Sequence, residues 1–230
     1  NLILVGDHVE NPLHPEFVKT ALDSAWTLED AQLRLVDAEA TSQWELRSDR
    51  VFLAPVVADA AQAASPNAML LLTYFVNAIQ SGEHTTPYSM VAALPPHAFP
   101  DTPLAENEIL INTWLAEDLE VAQGDTIVLR YFVMGPMRHL IEEERSFVVA
   151  GILPFEGLAN DRTLMPDLPG ISDSENCREW EPSFPIDLDQ IRDKDENYWD
   201  EHAGTPKAFI SLASGRAMWR NRYGDHTAIR

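Results

Sequence analysis

The amino-acid sequence predicts an α+β protein, on the strength of three observations. Runs rich in β-branched and aromatic residues recur along the 230 residues, as is typical of strands. Between several of these runs, apolar residues repeat at helical spacing. Pro, Gly and Asp interrupt the chain at many of the boundaries between runs. A chain of this length suits one domain with two subdomains, or two small domains.

The first hundred residues are predicted to form two helices and two pairs of strands. Apolar residues at helical spacing in 15–26 follow a proline that favours the first turn of a helix. The other expected elements are an apolar segment at 2–5, strands at 33–36, 44–46, 69–79 and 86–94, and a helix at 55–64. The last two strands form a predicted hairpin, with Pro87 at an edge or a bulge. Its tip, a candidate contact surface for a partner, is Ser81, Gly82 and Glu83.

The middle of the chain carries a strand, a short helix, a tight turn and two further strands. The first strand ends near Asn112 or Thr113, either of which can cap the helix predicted at 115–119 with a side-chain oxygen. Gly124 followed by Asp125 supplies the positive φ of a tight turn. The strands of this unit are predicted at 108–112, 126–132 and 146–153.

The last third of the chain is predicted to be irregular first and ordered afterwards. A loop is expected at 154–185, an acidic helix at 185–199, a strand at 207–212, a helix at 214–223 and a strand at 227–229. Gly224 is the expected C-terminal cap of the last helix. Prolines concentrate in the connector 95–103, which is the best candidate for a boundary between subdomains.

The middle unit resembles the extracytoplasmic, periplasmic core domain of FtsX/MacB-like ABC transporter permeases. In that family a strand ending in Asn precedes a helix with Leu-Ala-x-x-Leu, a Gly-Asp-x-hydrophobic strand and a closing Phe-x-Val-x-Gly-Ile strand. The corresponding residues of this chain are 109–112, 115–119, 124–127 and 147–152. Further segments are similar to a large-permease branch of the family, namely 73–79, 86–89, 165–173, 197–199 and 205–209.

The resemblance implies an outer, mixed α/β subdomain of the Porter type with a smaller, β-rich Sabre-type subdomain inserted into it. The outer subdomain would comprise 1–104 and 203–230, and the insert would comprise 105–202 with a long acidic loop. The connector 95–103 would then serve as a hinge between two rigid bodies. The resemblance further implies a non-enzymatic domain without a cofactor.

The family also implies a location and a set of partners. The chain would be a periplasmic segment of a bacterial inner-membrane protein that couples cytoplasmic ATP hydrolysis to export, to lipoprotein or substrate handling, or to regulation of an external partner. Its partners would be the cognate cytoplasmic ATPase, reached through the rest of the permease, a periplasmic or extracellular protein or exported substrate, and a second copy in a dimeric transporter. Residues 165–201 are longer and more acidic than the usual family loop, which leaves the substrate class open.

The composition argues against several classes of function. The net charge is −21, from 37 acidic and 16 basic residues, whereas nucleic-acid binding needs a basic surface and an anionic bilayer repels acidic proteins. No phosphate-binding glycine loop or strained serine nucleophile motif occurs. Cys177 is the single cysteine, so no intrachain disulfide can form, and neighbouring acids disfavour its thiolate.

An acidic cluster at 187–202 supports the main alternative, a secreted calcium-dependent binding module or hydrolase. Hard carboxylate oxygens at this density are the ligands that Ca²⁺ prefers, and the candidate ligands are Asp193, Asp195 and Glu196. Their spacing is not that of an EF-hand loop. A solvated acidic helix face explains the same residues without any metal.

Several Trp and Tyr residues lie in the C-terminal third of the chain. They have two interpretations, a patch that binds a partner protein or packing within the core. The candidates for partner contact are Trp180, Tyr198 and Trp199, and the neighbouring aromatic residues are Trp219 and Tyr223.

Overall fold

The computed structural model describes residues 14–38 and 43–230, so the predicted apolar segment 2–5 lies outside the described residues. Within these ranges the chain is α+β, as predicted. The helices are α1 (Pro15–Ala25), α2 (Pro55–Ala64), α3 (Thr113–Leu119), α4 (Asp193–His202) and α5 (Leu212–Trp219). The strands are β1 (Leu33–Ala38), β2 (Gln43–Ser48), β3 (Leu70–Ser81), β4 (His84–Leu94), β5 (Glu108–Asn112), β6 (Thr126–Met134), β7 (Leu140–Leu153), β8 (Ala208–Ser211) and β9 (Ala228–Ile229).

Six of the strands close into a barrel in the order β3-β4-β8-β5-β7-β6, and a β3–β6 pairing completes the circle. The β4–β8 and β5–β7 pairs are parallel, and the other pairs are antiparallel. Strands β1, β2 and β9 extend the sheet beside the barrel, where β9 pairs with the first residues of β3. Closure leaves few free strand edges, which protects a β-rich protein from edge-to-edge association.

Alternate residues of the barrel strands point inwards and form the main core. Fully buried side chains include Leu72, Ile109, Ile127 and Phe147. Helices α3 and α5 follow β5 and β8, which are antiparallel to each other, so the two helices lie at opposite ends of the barrel. Leu115 and Leu119 of α3, and Leu212 and Trp219 of α5, join the same core.

The segment between β7 and β8 wraps around the outer surface of the barrel. Phe75 and Met90 point outwards from β3 and β4 and pack against Ile171, Trp180 and Ile191 of this segment. It contains only short 3₁₀ turns before α4, in agreement with the predicted loop. Burial of these side chains, at about 25 cal/mol per Å² of apolar surface, holds the irregular segment to the barrel.

The barrel takes strands from both predicted subdomains. Strands β3, β4 and β8 belong to the predicted outer subdomain, and β5, β6 and β7 belong to the predicted insert. The structure therefore shows no clear Porter and Sabre division. The connector 95–103 joins β4 to β5, and both strands pair with β8, so bending at this connector would have to break pairings within one barrel.

Two predicted helix boundaries are wrong for local reasons. The acidic helix starts at Asp193 rather than at 185, because the Asp187 side chain caps a separate 3₁₀ turn and Arg192 is the extended N-cap of α4. Helix α5 ends at Trp219, and Arg220 is already extended. Gly224 is therefore not a helix cap; it forms a tight turn with Asn221.

Other local predictions are confirmed. Asn112 accepts a hydrogen bond from the Leu115 backbone N–H (2.8 Å) and caps α3. Pro87 lies in a part of β4 that pairs with β3 alone, and Tyr88 beside it has a positive φ of 37°, so this position is both an edge and an irregularity. Within the described ranges, no helix has the length and apolar character needed to span a bilayer.

Candidate functional site

A cavity of about 410 Å³ lies beside one end of the barrel. Five parts of the chain form its walls: β3 near residues 73–77, the β6–β7 hairpin at 132–140, residues 50–52, the end of α5 with the following turn, and the loop residues 168–169 and 183–184. A volume in this range suits a small molecule, for which about 300–1,000 Å³ is typical.

Aromatic rings form the floor of the cavity. Tyr74 stacks on Trp219 with ring centroids 5.0 Å apart, and Tyr131 meets the same indole edge-on at 5.9 Å. The Tyr74 hydroxyl donates a hydrogen bond to the Phe132 carbonyl oxygen (2.8 Å). Burial raises the pKa of Tyr74 to about 12, so this phenol stays neutral and acts as a packing and anchoring group.

The rim of the cavity depends on a close approach between two loops. The Leu53 N–H donates to the His226 carbonyl oxygen (2.9 Å), which brings residues 50–53 against the turn that follows α5. Gly224 makes this approach possible, because a Cβ there would lie 2.0 Å from the Leu53 carbonyl oxygen. The turn then places Tyr223 at the mouth of the cavity.

Two buried polar atoms of the cavity lining have no hydrogen-bond partner in the described chain. They are the Thr73 hydroxyl oxygen and the Trp219 indole nitrogen, and both residues are almost fully buried. Buried polar groups are normally bonded, and an unbonded one costs about 1–3 kcal/mol. Both atoms are themselves inaccessible, so they belong to the packed wall behind the cavity rather than to its open surface.

The charged side chains that line the cavity in the described chain are Arg50 and Arg220, with no carboxylate among them. Arg50 bonds to the neutral Gln32 side chain, and Arg220 has no ion pair with a described residue. Since the chain carries a net charge of −21, a rim with two arginines and no acid differs from the average surface. The cavity thus combines an apolar interior with a positive rim.

The three predicted calcium ligands lie in one helix but do not converge on one point. Asp193 is exposed and pairs with Arg178 (2.6 Å). Asp195 is buried and accepts bonds from the Arg192 side chain. Glu196 accepts from the Cys177 and Arg178 backbone N–H groups. Within residues 14–38 and 43–230, no group of three or more His, Cys, Asp or Glu side chains is arranged to hold a metal.

Asp195 belongs to a buried charge network that fastens α4 to the barrel. The Lys207 ammonium lies 3.8 Å from an Asp195 carboxylate oxygen and over the Trp114 ring at 4.1 Å. Burial lowers the pKa of Lys207 to about 8, while Asp195 and Asp118 oppose that shift. The network accounts for these charges as structural groups, without a substrate or an ion.

Asp118 of α3 is a further carboxylate of this network. It accepts hydrogen bonds from Thr86 (2.5 Å) and from Arg192 (2.7 Å), and it also pairs with Lys194. Burial by itself would raise the pKa of Asp118, but the bonds from Lys194, Thr86 and Arg192 outweigh it and hold the pKa below its ordinary value. Asp118 is therefore ionised and bonded near neutral pH.

The predicted partner-contact residues fall into two environments. Trp180 and Tyr198 are buried: Trp180 packs edge-on against Trp199 at 5.0 Å, and the Tyr198 hydroxyl accepts from Asn112 and donates to the Thr205 carbonyl oxygen, both at 3.0 Å. Both side chains are packing groups here rather than surface anchors, and Trp199 is half-buried beside them.

The predicted hairpin tip has the expected geometry. Strand β3 ends at Ser81 and β4 begins at His84, with Gly82 at a φ of 55°. Gly82 and Glu83 are exposed, while Ser81 is half-buried and its hydroxyl donates to the Thr126 carbonyl oxygen (3.0 Å). These residues lie outside the cavity lining. Contact of this tip with a partner stays a prediction.

Sequence reasoning did not identify the cavity. Tyr74 and Trp219 are far apart in the chain and meet only because α5 packs on the end of the barrel. Trp219 was visible as one of several C-terminal aromatic residues, but nothing in its local sequence distinguishes it from Trp180. No protein-family model matches this chain, and no curated protein is significantly similar to it.

Proposed function

We propose that this chain is the extracytoplasmic domain of an FtsX/MacB-like ABC permease and that it catalyses no reaction itself. In this role it transmits motion between the permease, whose cognate ATPase works in the cytoplasm, and a substrate or protein partner outside the membrane. The proposed location is the periplasmic side of a bacterial inner membrane. A dimeric transporter and an exported substrate belong to the same proposal.

The observation that supports this proposal is the assembly of the family-like segments into one unit. Residues 109–112 form β5, residues 115–119 lie in α3, residues 124–127 form the turn and the start of β6, and residues 147–152 lie in β7. β7 pairs with both β5 and β6, so all four segments are neighbours. The order of elements matches the order that the resemblance implies.

The closed barrel bears on how motion would be transmitted. Since β4 and β5 flank β8 in one barrel, we expect the barrel to move as a single body and to bend where it joins the rest of a permease. The proposal keeps 1–104 with 203–230 as the outer part of the sequence and 105–202 as the inserted part, and both parts contribute strands to the one barrel. A cross-link that fixes the connector 95–103 is then expected to leave transport intact.

The calcium-dependent alternative has no supporting observation of its own. Each candidate ligand already has its own partner, namely Arg178 for Asp193, Arg192 for Asp195 and two backbone N–H groups for Glu196. Binding Ca²⁺ with these oxygens would require the charge network of α4 to break. We therefore propose the permease domain alone.

Cell fractionation tests the proposal directly. Antibodies raised against the folded 230-residue chain should detect a larger protein that stays in the membrane after carbonate washing. Protease added to spheroplasts should remove the epitope, while a cytoplasmic marker protein survives as the control. Recovery of the antigen in the culture medium or in the soluble cytoplasm would refute the proposal.

A further inference from the structure

We propose that the cavity beside α5 binds a single-chain amphiphile with a carboxylate head, that is, a free fatty-acid anion. The alkyl chain would lie on the aromatic floor formed by Tyr74 and Trp219, and the carboxylate would lie at the rim beside Arg220. This ligand assignment does not depend on the permease proposal, because binding can be tested with the 230-residue chain alone.

The interior of the cavity suits an alkyl chain. Phe52, Phe132 and Met218 line it together with the stacked Tyr74–Trp219 pair, and no carboxylate of the described chain faces into it. Glu142, which lies outside this lining, accepts from the lining residue Asn77 (2.7 Å) and pairs with Arg130. Its charge is therefore compensated locally.

The rim supplies the charge that the head group needs. Arg220 is exposed, lines the cavity and has no ion pair within the described chain. A guanidinium group binds a carboxylate through two parallel hydrogen bonds, which makes arginine a favoured partner of such head groups. The rest of the protein repels anions because of its net charge of −21, so selection of an anion has to come from this local site.

The mouth of the cavity supports the same occupant. At the mouth, Met134 and Leu140 of the β6–β7 hairpin are exposed and apolar. Methionine adapts well to flexible alkyl ligands.

Titration calorimetry with dodecanoate below its micellar concentration tests the assignment. We expect one site per chain, a dissociation constant on the order of 10 µM and a rise in melting temperature, because the ligand binds only the folded state. Dodecyltrimethylammonium has the same tail and a positive head, and we expect it not to bind this site although the overall charge attracts it. Equal or tighter binding of the cation would overturn the proposal.

Two matched pairs of variants locate the site. Leu140→Glu places a negative charge in the cavity lining, whereas Ile141→Glu places it on the next residue, which is equally exposed but outside the lining. Arg220→Glu reverses the rim charge, and Lys19→Glu makes the same net change on the exposed helix α1. We expect about tenfold weaker binding for the first member of each pair and less than about twofold for the second.

Each result decides the matter. Loss confined to Leu140→Glu and Arg220→Glu supports the assignment, provided that both variants keep the melting temperature of the unliganded protein. Equal losses of dodecanoate affinity in all four variants would show an effect of overall charge. Unchanged affinity in both Leu140→Glu and Arg220→Glu would show that dodecanoate binds outside this cavity. Either result would refute the assignment. Absence of dodecanoate binding, or binding of an acidic apolar peptide in its place, would also refute a fatty-acid site.

Discussion

Replacing Asp195 by Asn should destabilise the protein strongly, whereas the same change at Asp193 should have almost no effect. Both residues lie in the first turn of α4, and both belong to the acidic cluster that suggested a calcium site. Their environments are opposite. The Asp195 side chain is 6% exposed, whereas that of Asp193 is 93% exposed and pairs with Arg178, itself 54% exposed.

The expected magnitude follows from the bonds that Asp195 accepts. Its oxygens take hydrogen bonds from Arg192 Nε and Nη2, both at 2.7 Å, and from the Arg192 backbone N–H at 3.0 Å. Breaking one partner of a buried ion pair costs about 3–5 kcal/mol. Arg192 is one-third exposed and keeps its bond to Asp118, so we expect about 3 kcal/mol for Asp195→Asn. For Asp193→Asn we expect less than about 0.5 kcal/mol.

Lys207 makes the destabilisation by Asp195→Asn depend on pH. Its pKa is lowered by burial to about 8, against 10.5 ordinarily, so the unfolded chain binds the proton more tightly and this group favours folding increasingly as the pH rises between those values. Removing the Asp195 charge lowers the pKa of Lys207 further. The loss in free energy of unfolding caused by Asp195→Asn should therefore be smaller at about pH 9, where Lys207 is mostly neutral, than at about pH 7.

Urea unfolding followed by circular dichroism measures these free energies, and thermal melting checks them. For a chain of this size 1 kcal/mol corresponds to about 2–4 °C, so Asp195→Asn should lower the melting temperature by roughly 6–12 °C. Equal destabilisation by the two variants would refute the reasoning. Calcium at millimolar concentration should shift neither variant nor the wild type; a wild-type shift lost in both variants would restore the calcium interpretation.

Three further outcomes are expected. Asp118→Asn should cost about 3 kcal/mol near neutral pH, because its side chain is as buried as that of Asp195. Urea titrations should show this difference in the free energy of unfolding vanishing as the pH falls through the lowered pKa of Asp118, where the wild type loses the same charge. Thr73→Val removes a hydroxyl that has no partner in the described chain, so it should leave the free energy of unfolding unchanged or raise it by up to about 1 kcal/mol. Thr227→Val removes the oxygen that accepts the Thr73 N–H bond (3.0 Å), so it should lower the free energy of unfolding by about 1 kcal/mol. Cys177 should react with a thiol reagent only as fast as the protein unfolds, because burial raises the pKa of its thiol to about 12.

The types of the secondary-structure elements were accessible from the sequence, because they depend on local chemistry. The Asn112 cap, the Gly124 turn and the β-branched runs of β3 and β6 act within a few residues of the chain. The late start of α4 was not predicted, since acidity and apolar spacing continue through 185–199 while the caps at Asp187 and Arg192 divide the segment.

The acidic cluster illustrates the limit of composition as evidence. From the sequence, Asp193 and Asp195 are equivalent carboxylates two residues apart. Asp195 meets Arg192 locally, in the capping box that starts α4. Packing against the barrel is what buries Asp195 beside Lys207 and leaves Asp193 in solvent beside Arg178. Whether a carboxylate binds a metal, stabilises a fold or does neither depends on the charges that long-range contacts place around it.

The sequence by itself determined that this protein is α+β, where most of its helices and strands lie, and that an acidic segment separates its β-rich middle from its C-terminal strands. Tertiary structure alone decided that six strands close into one barrel across the predicted subdomain boundary, and that Tyr74 and Trp219 form the floor of a cavity. The physical reason is range: capping, turns and periodicity act between near neighbours in the chain, whereas barrel closure and the cavity floor join residues far apart in the chain, such as Ala78 with Arg130 and Tyr74 with Trp219.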